Sequence, residues 1–185
     1  FGDVIWQDRY GPIDYLWLWP GAESRGKGPF STPALSNGRL FTFGVTQTLS
    51  TYDTESGEVL WRKAFDKTLD FGTSTSPIVV GDLVIVHVGD AKVGALMALD
   101  VATGDVRWES DYDGMSYASP VLVDLHGVRQ LVVLSSQYLS SFVPETGEAL
   151  WRADAPHPFN ENISMPVLVG ATFVVSSISV GTKGI

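Results

Sequence analysis

Cysteine is absent from the 185 residues. Its absence excludes disulfide bridges, thiolate zinc sites and cysteine nucleophiles within this sequence. It does not identify the compartment, because many exported proteins also lack cysteine.

Positive charge is scarce. Lys and Arg number 12 against 21 Asp and Glu, and the formal net charge is −9. The basic residues are scattered rather than clustered. Because an acidic surface repels phosphate, we expect no nucleic-acid partner.

Long apolar runs are absent as well. No segment approaches the roughly 20 apolar residues of a membrane-spanning helix, and the run from Ile78 to Val88 is interrupted by Gly81 and Asp82. We therefore expect no transmembrane segment. The first residues, from Phe1, show neither an initiator Met nor a signal-peptide pattern, and we expect them to belong to the interior of a repeat.

What the sequence does contain favours β-structure. Hydrophobic residues make up 44% of the chain, which also has 19 Gly and 6 Trp. Val, Thr and aromatic residues dominate the apolar runs. This composition predicts strands joined by tight turns rather than helices or disorder.

One pattern occurs three times without gaps. Each copy opens on a Leu, has a Gly four residues before its end and closes on a Trp. The copies are Leu49–Trp61, Leu96–Trp108 and Leu139–Trp151, their glycines are Gly57, Gly104 and Gly147, and Gly2–Trp6 is a partial fourth copy.

A Ser or Thr followed by Pro stands upstream of each copy, at Thr32, Ser76 and Ser119, with Met165 as the weaker fourth case. Each Pro starts an apolar strand, and a turn connects this strand to a second one. The predicted first pairs are 32–36 with 39–45, 75–80 with 83–88, 118–124 with 129–134, and 164–169 with 172–178. The predicted second pairs are 48–53 with 58–63, 94–100 with 105–110, and 138–143 with 148–153.

Four short strands repeating every ~40–50 residues are typical of a β-propeller blade. The fold is therefore predicted to be all-β, with four-stranded antiparallel blades. A repeated Trp is well suited to fill the seam between stacked blades. We expect this of Trp6, Trp61, Trp108 and Trp151.

The string Asp-x-x-Thr-Gly-x-x-x-Trp, with a Leu four residues before the Asp, resembles the PQQ-like (quinoprotein-type) propeller repeat. Asp100–Trp108 matches it best, Asp53–Trp61 has Ser56 for Thr, and the third copy has Val143 in place of the Asp. The resemblance implies a ring of usually eight blades, of which this chain would be about half. The expected parts are the end of a blade at 1–7, whole blades at 31–63, 75–110 and 118–153, and the start of a blade at 164–185.

The loops that link one blade to the next should share one face of the propeller. In this family that face commonly carries ligands or partners, although ordinary solvated loops are the alternative for each residue. The candidate binding residues are Trp17, Trp19, Arg25, Lys27, Asp113, Tyr117, Asn160, Glu161 and Asn162. The cluster around Trp17 and Trp19 is either a binding surface or a cover over the propeller edge.

Metal and catalytic motifs are incomplete. Asp111–Gly114 has part of a calcium loop but is better interpreted as a turn. Asn160–Asn162 offers calcium-type oxygens, but three adjacent residues rarely converge on one ion. The histidines His87, His126 and His157 have no metal-binding spacing, and we expect them to be structural and hydrogen-bonded.

The resemblance implies two kinds of function. The first is a non-catalytic scaffold, periplasmic or extracellular, that binds a protein or another ligand through its loop face without a cofactor, as BamB-like and other exported PQQ-repeat proteins do. The second is a dehydrogenase of alcohols or sugars that holds pyrroloquinoline quinone and calcium. Such enzymes often have adjacent cysteines beside the quinone, and none is present in this sequence. We therefore expect a scaffold rather than an enzyme, with no catalytic residue in this chain.

Overall fold

The computed structural model describes residues 2–9, 29–65, 72–177 and 179–185. Within these ranges the regular structure consists of β-strands in four antiparallel sheets, and no helix occurs there. Each sheet pairs its strands in the order of the chain. This meander is the architecture of propeller blades, so the predicted all-β fold is confirmed.

Three sheets have four strands. The first contains β1 (Ala34–Ser36), β2 (Arg39–Phe43), β3 (Thr48–Asp53) and β4 (Val59–Ala64). The second contains β5 (Ile78–Val80), β6 (Leu83–Gly89), β7 (Val93–Asp100) and β8 (Val106–Asp113). The third contains β9 (Val121–Leu125), β10 (Val128–Leu134), β11 (Tyr138–Phe142) and β12 (Ala149–Asp154).

The fourth sheet has three strands, namely β13 (Val167–Val169), β14 (Thr172–Ser177) and β15 (Gly181–Gly184). The sequence predicted only the first two. The strand β15 pairs Gly181 with Ser177 and Gly184 with Val174. Its two glycines and two polar residues lack the apolar pattern that marks a strand, which is why the sequence did not indicate it.

The repeat extends to irregular backbone features. Between the third and fourth strands of each complete sheet, the register shifts at the same place in the pattern. The shifts lie between Thr51 and Tyr52, between Ala98 and Leu99, and between Ser141 and Phe142. Such bulges increase the local twist of the sheet, so the three blades share their curvature as well as their strand order.

Apolar clusters fill the seams between consecutive sheets. In β6, Val84 and Val86 pack toward the first sheet with Phe41, whereas Ile85 packs toward the third sheet with Leu131. Successive side chains of a strand point to opposite faces, so one strand contributes to two seams. A third cluster joins the third and fourth sheets, around Val132, Leu134 and Phe173.

The strand order creates two opposite faces. The connectors between sheets lie at the same end as the turns that join second strands to third strands, and we call this end the connector face. The other turns lie at the opposite end, here called the hairpin face. No helix in the described ranges is long and apolar enough to cross a membrane.

Candidate functional site

On the hairpin face, the repeated Trp of one sheet contacts the repeated Gly of the next. A Cβ atom at Gly104 would lie 2.8 Å from the ring of Trp61, and one at Gly147 would lie 2.5 Å from the ring of Trp108. A Cβ atom at Gly57 would be similarly close to the ring of Trp6, although residues 2–9 form no strand. These three glycines have φ values between 72° and 76°, so they supply both the left-handed turn and the space for the indole.

The indole nitrogen of each of these three Trp residues adds a hydrogen bond to the Trp–Gly contact. Trp6 donates to the carbonyl oxygen of Thr54 at 3.1 Å, Trp61 to that of Val101 at 3.2 Å and Trp108 to that of Pro144 at 3.2 Å. The three acceptors occupy the same place in the repeat. Each Trp is half-buried, so the ring covers the neighbouring turn while its edge reaches solvent.

Trp151 uses a different partner. Its indole nitrogen donates to Oε1 of Gln130 in its own sheet at 2.8 Å, and its ring centre lies 5.6 Å from that of Phe173. Gln130 is buried and also accepts a hydrogen bond from Ser141. Trp151 thus belongs to the seam between the third and fourth sheets.

Asp53 and Asp100 cap the turns that carry the repeated glycines. The Oδ1 of Asp53 accepts from the backbone nitrogens of Glu55 and Ser56, and that of Asp100 accepts from Ala102 and Thr103. Hydrogen bonds from backbone N–H groups favour the ionised form. These bonds lower the pKa of both carboxyl groups. The largest effect comes from the backbone N–H of Ser56 for Asp53 and from that of Ala102 for Asp100.

On the connector face, Asp113 fixes the turn between β10 and β11. Its Oδ2 accepts from Ser135 Oγ and from the backbone nitrogen of Gln137, both at 2.7 Å. The carboxylate therefore joins the second sheet to the third. The segment interpreted as a turn is instead the end of strand β8, whose last residue is Asp113, and the two bonds of its Oδ2 are made to donors of the third sheet.

The connector between the third and fourth sheets, residues 155–166, is built around His157. The ring is 3% exposed, and its Nδ1 accepts from the backbone nitrogens of Phe159 and Glu161. The backbone nitrogen of Asn160 donates to the carbonyl oxygen of His157 at 3.0 Å. A compact turn with a buried centre results.

Asn160 and Asn162 tie this connector to its surroundings. Asn160 has a positive φ of 58°, and its Oδ1 accepts from Gln137 Nε2. The buried amide of Asn162 donates to the carbonyl oxygens of Ser135 and Ala155. The backbone carbonyl oxygen of Asn162 accepts from the backbone nitrogens of Tyr117, at 3.0 Å, and Ala118. The connector before β9 and the connector 155–166 are thereby held together.

This framework leaves apolar side chains outside. Phe159 is 69% exposed, Ile163 63% and Met165 51%. Glu161 is half-buried. A set of buried polar bonds thus holds an exposed aromatic ring on the connector face, a combination that marks binding surfaces.

The candidate residues are therefore brought together only in part. Asp113, Tyr117, Asn160, Glu161 and Asn162 all lie on the connector face, where the side chains of Asp113, Asn160 and Asn162 serve the framework. Trp17, Trp19, Arg25 and Lys27 lie outside the described residues.

The three residues Asn160–Asn162 do not fit a calcium site. Asn160 Oδ1 faces an amide N–H of Gln137, and the amide of Asn162 is directed at backbone carbonyls. The side-chain oxygen of Asn160 is therefore already engaged by a donor. Across the described ranges, no group of three or more His, Asp and Glu side chains is placed to hold a metal ion.

Two features were missed at the level of sequence. Gln47 is fully buried, and its side-chain amide pairs with both the N–H and the C=O of Gly89 in the next sheet. His87 is also fully buried, and neither ring nitrogen has a partner among the described residues. The expectation of a hydrogen-bonded His87 was wrong, because that expectation took no account of the apolar seam around the ring.

Comparisons with known proteins agree on one family. A family model described as "Outer membrane protein assembly factor BamB" matches residues 2–182. The outer membrane protein assembly factor BamB of Shewanella oneidensis is 24% identical over 176 residues, which cover 89% of this chain and 42% of that protein. The chain thus spans less than half of this relative.

Solved structures show the same fold at low identity. BamB from Moraxella catarrhalis has a TM-score of 0.65 at 16% identity, covering 84% of this chain and 46% of that one. Quinohemoprotein alcohol dehydrogenase from Comamonas testosteroni has a TM-score of 0.57 at 13% identity, covering 83% and 35%. The computationally designed Ika4 protein has a TM-score of 0.55 at 12% identity, covering 84% and 89%. These likenesses concern the fold alone.

Proposed function

The chain belongs to the BamB family of outer membrane protein assembly factors, and we propose that it is part of a non-catalytic scaffold that binds another protein through its connector face. The family's description supports a role in outer-membrane protein assembly and a periplasmic location. The observation that carries the proposal is the connector 155–166, in which buried polar groups hold Phe159 exposed.

Energetics supports a binding role for this connector. Holding His157, Asn160 and Asn162 in place costs conformational entropy, and exposing an aromatic ring returns nothing to folding. An aromatic side chain has only two rotatable bonds and loses little entropy when a partner covers it, and aromatic residues are enriched in binding hot spots. Ile163 and Met165 would extend the apolar contact, and Glu161 would favour a basic group on the partner.

A substitution at Phe159 tests this function. The full-length protein would be expressed in a bacterium that lacks its own BamB, with Phe159→Ser compared against Val128→Ser. Val128 is an exposed apolar residue at the start of β10, on the hairpin face, and serves as the matched control. We expect Phe159→Ser to lower the amount of correctly assembled outer membrane protein while leaving thermal stability unchanged, and Val128→Ser to lower neither.

Photo-crosslinking identifies the partner in the same cells. A photoreactive phenylalanine at position 159 should form a covalent adduct with one protein, whereas the same residue at position 128 should not. Normal assembly with Phe159→Ser, together with no adduct at position 159, would refute the connector as the binding site.

We further propose that the scaffold works without pyrroloquinoline quinone or calcium. The engaged side-chain oxygen of Asn160 and the amide of Asn162, which donates to backbone carbonyls, support this. The full-length protein would be incubated with the quinone and calcium and assayed with a dye acceptor on a panel of alcohols and sugars. Clear turnover would overturn the scaffold interpretation.

A further inference from the structure

The seam between the second and third sheets contains a polar pair where the preceding seam is apolar. Register shows the equivalence, because Phe43 pairs with Leu49 and His87 pairs with Leu96, the opening Leu of each repeat. Their ring partners lie four residues beyond the repeated Trp, at Phe65 and Tyr112. Phe43–Phe65 in one seam thus corresponds to His87–Tyr112 in the next.

The two pairs have similar distances between ring centres but different angles between the rings, 80° for Phe43–Phe65 and 49° for His87–Tyr112. The ring centres of Phe43 and Phe65 lie 6.3 Å apart, and those of His87 and Tyr112 lie 5.8 Å apart. The Tyr112 ring packs edge-on against Phe142 of the third sheet, with centres 5.1 Å apart. The polar pair therefore occupies the place that two apolar rings fill in the preceding seam.

The surroundings of His87 favour its neutral form. The side chain is 1% exposed, and neither nitrogen has a partner among the described residues. Burial lowers the pKa of His87 to about 4, although the backbone and charge of Asp113 act in the opposite direction. A cation in this position would have no solvent and no direct ion partner, and only the backbone and the charge of Asp113 would favour it, which burial outweighs.

Few ionisable groups face this site. From β8 come Tyr112 and Asp113, whose carboxylate is already bonded to Ser135 and Gln137. From β12 comes Arg152, whose guanidinium lies 5.6 Å from the centre of the Tyr112 ring. The neighbouring residues Leu96 on β7 and Phe142 on β11 carry no charge.

We propose that His87 and Tyr112 make the seam between the second and third sheets an acid-sensitive joint, which holds at neutral pH and loosens when the imidazole is protonated. The joint lies beside Asp113, which anchors the turn of Gln137, and Gln137 in turn holds Asn160 of the connector 155–166. Loosening the seam would therefore disturb the proposed binding surface. This consequence rests on the proposed function, whereas the existence of the acid-sensitive joint does not depend on it.

The direction of the pH effect follows from the two states. An unfolded or opened chain exposes His87, whose pKa then returns toward 6.5, while the closed seam holds it near 4. The closed seam is fully favoured above the higher value and loses stability as the pH falls toward the lower one. Opening is thus expected between about pH 6.5 and 4.

Two indole N–H groups report on the two seams separately. Trp108 belongs to the seam between the second and third sheets, and Trp61 belongs to the preceding seam. Both indole nitrogens donate to a carbonyl of the next sheet. Their signals in ¹H–¹⁵N spectra, assigned with Trp→Phe variants, would be followed from pH 7 to pH 4.

The Trp108 signal should shift or broaden as the pH falls, while the Trp61 signal stays constant. In His87→Leu, which copies Leu134 of the following seam, and in His87→Phe, which copies Phe43, the Trp108 signal should also stay constant. Either variant is sufficient if the other fails to fold. The proposal is overturned if Trp108 does not respond in the wild-type protein, or if it responds equally in the folded variant. Loss of partner binding at neutral pH bears on the proposed function and not on the joint.

Discussion

Trp61 lies across Gly104 of the next sheet so closely that a Cβ atom at Gly104 would stand 2.8 Å from its ring. The glycine has a φ of 76°, a backbone conformation that side chains rarely adopt. The turn and the indole therefore depend on the same missing side chain, which explains why Gly and Trp recur together in the sequence.

Gly104→Ala should destabilise the protein in two ways. The left-handed backbone costs about 1–2 kcal/mol for any residue with a Cβ, and displacement of Trp61 adds the loss of its packing. The control is Gly127→Ala, since Gly127 has a similar φ of 77° but nothing within 4 Å of its missing Cβ. Urea unfolding should show a larger loss for Gly104→Ala, and equal losses would argue against the Trp–Gly joint.

The repeat pattern was sufficient to predict the three four-stranded sheets, because glycine, proline and alternating apolar residues act locally, whereas β15 of the fourth sheet has no such pattern. The pattern also indicated which residues recur, but not which of them contact each other across the seams. The contact of Trp61 with Gly104 joins two repeats, and the buried amide of Gln47 reaches Gly89 across a seam. Such relationships depend on the three-dimensional stacking of the sheets, for which a single sequence contains no local signal. The connector 155–166 could not be predicted either, because only its folded conformation determines that His157 is buried and Phe159 is exposed.

Gln47→Ala should cost about 2–3 kcal/mol of unfolding free energy, because the buried N–H and C=O of Gly89 would both lose their partner. Gln47→Glu provides a sharper test. A carboxylate keeps the acceptor for the Gly89 N–H but repels the Gly89 carbonyl oxygen.

Burial should raise the pKa of a Glu at position 47, so that the folded state binds a proton more tightly than the unfolded state. The stability of Gln47→Glu relative to wild type should then improve as the pH falls toward 5, whereas that of Gln47→Ala should not. A loss well below about 2 kcal/mol for Gln47→Ala, together with no pH dependence for Gln47→Glu, would mean that the amide bridge contributes little.

Asn160 separates two contributions to the connector 155–166. Its φ is 58°, and its Oδ1 accepts from Gln137. Asn160→Gly keeps the left-handed backbone and removes only the amide, whereas Asn160→Ala removes the amide and adds the cost of the positive φ. Urea unfolding should show Asn160→Ala to be about 1 kcal/mol less stable than Asn160→Gly. Equal stability would indicate that the turn around His157 does not require this backbone conformation.

Val143 stands where the first two complete repeats have Asp53 and Asp100. The turn that follows it keeps the same backbone bonds, from Val143 N to Glu148 O and from Gly147 N to Val143 O, both at 2.8 Å. It lacks the carboxylate that accepts from the N–H groups two and three residues further on, and the N–H of Thr146 donates instead to the Val143 carbonyl oxygen at 3.3 Å. Val143→Asp should supply this acceptor and raise the thermal midpoint at pH 7.

The gain from Val143→Asp should depend on pH. In Asp53 and Asp100, backbone N–H groups lower the pKa below its ordinary value of 3.8. A carboxyl group of this kind stabilises the fold above its unfolded pKa, and the contribution is lost as the pH falls through the folded value. The advantage of Val143→Asp over wild type should therefore be complete at pH 7 and shrink as the pH falls below the ordinary carboxyl pKa. Val143→Asn, with a neutral oxygen in the same place, should keep its smaller gain over the same pH range. If Val143→Asp is no more stable than wild type at pH 7 while Val143→Asn is, then the capping geometry is correct and the charge contributes nothing in this third repeat.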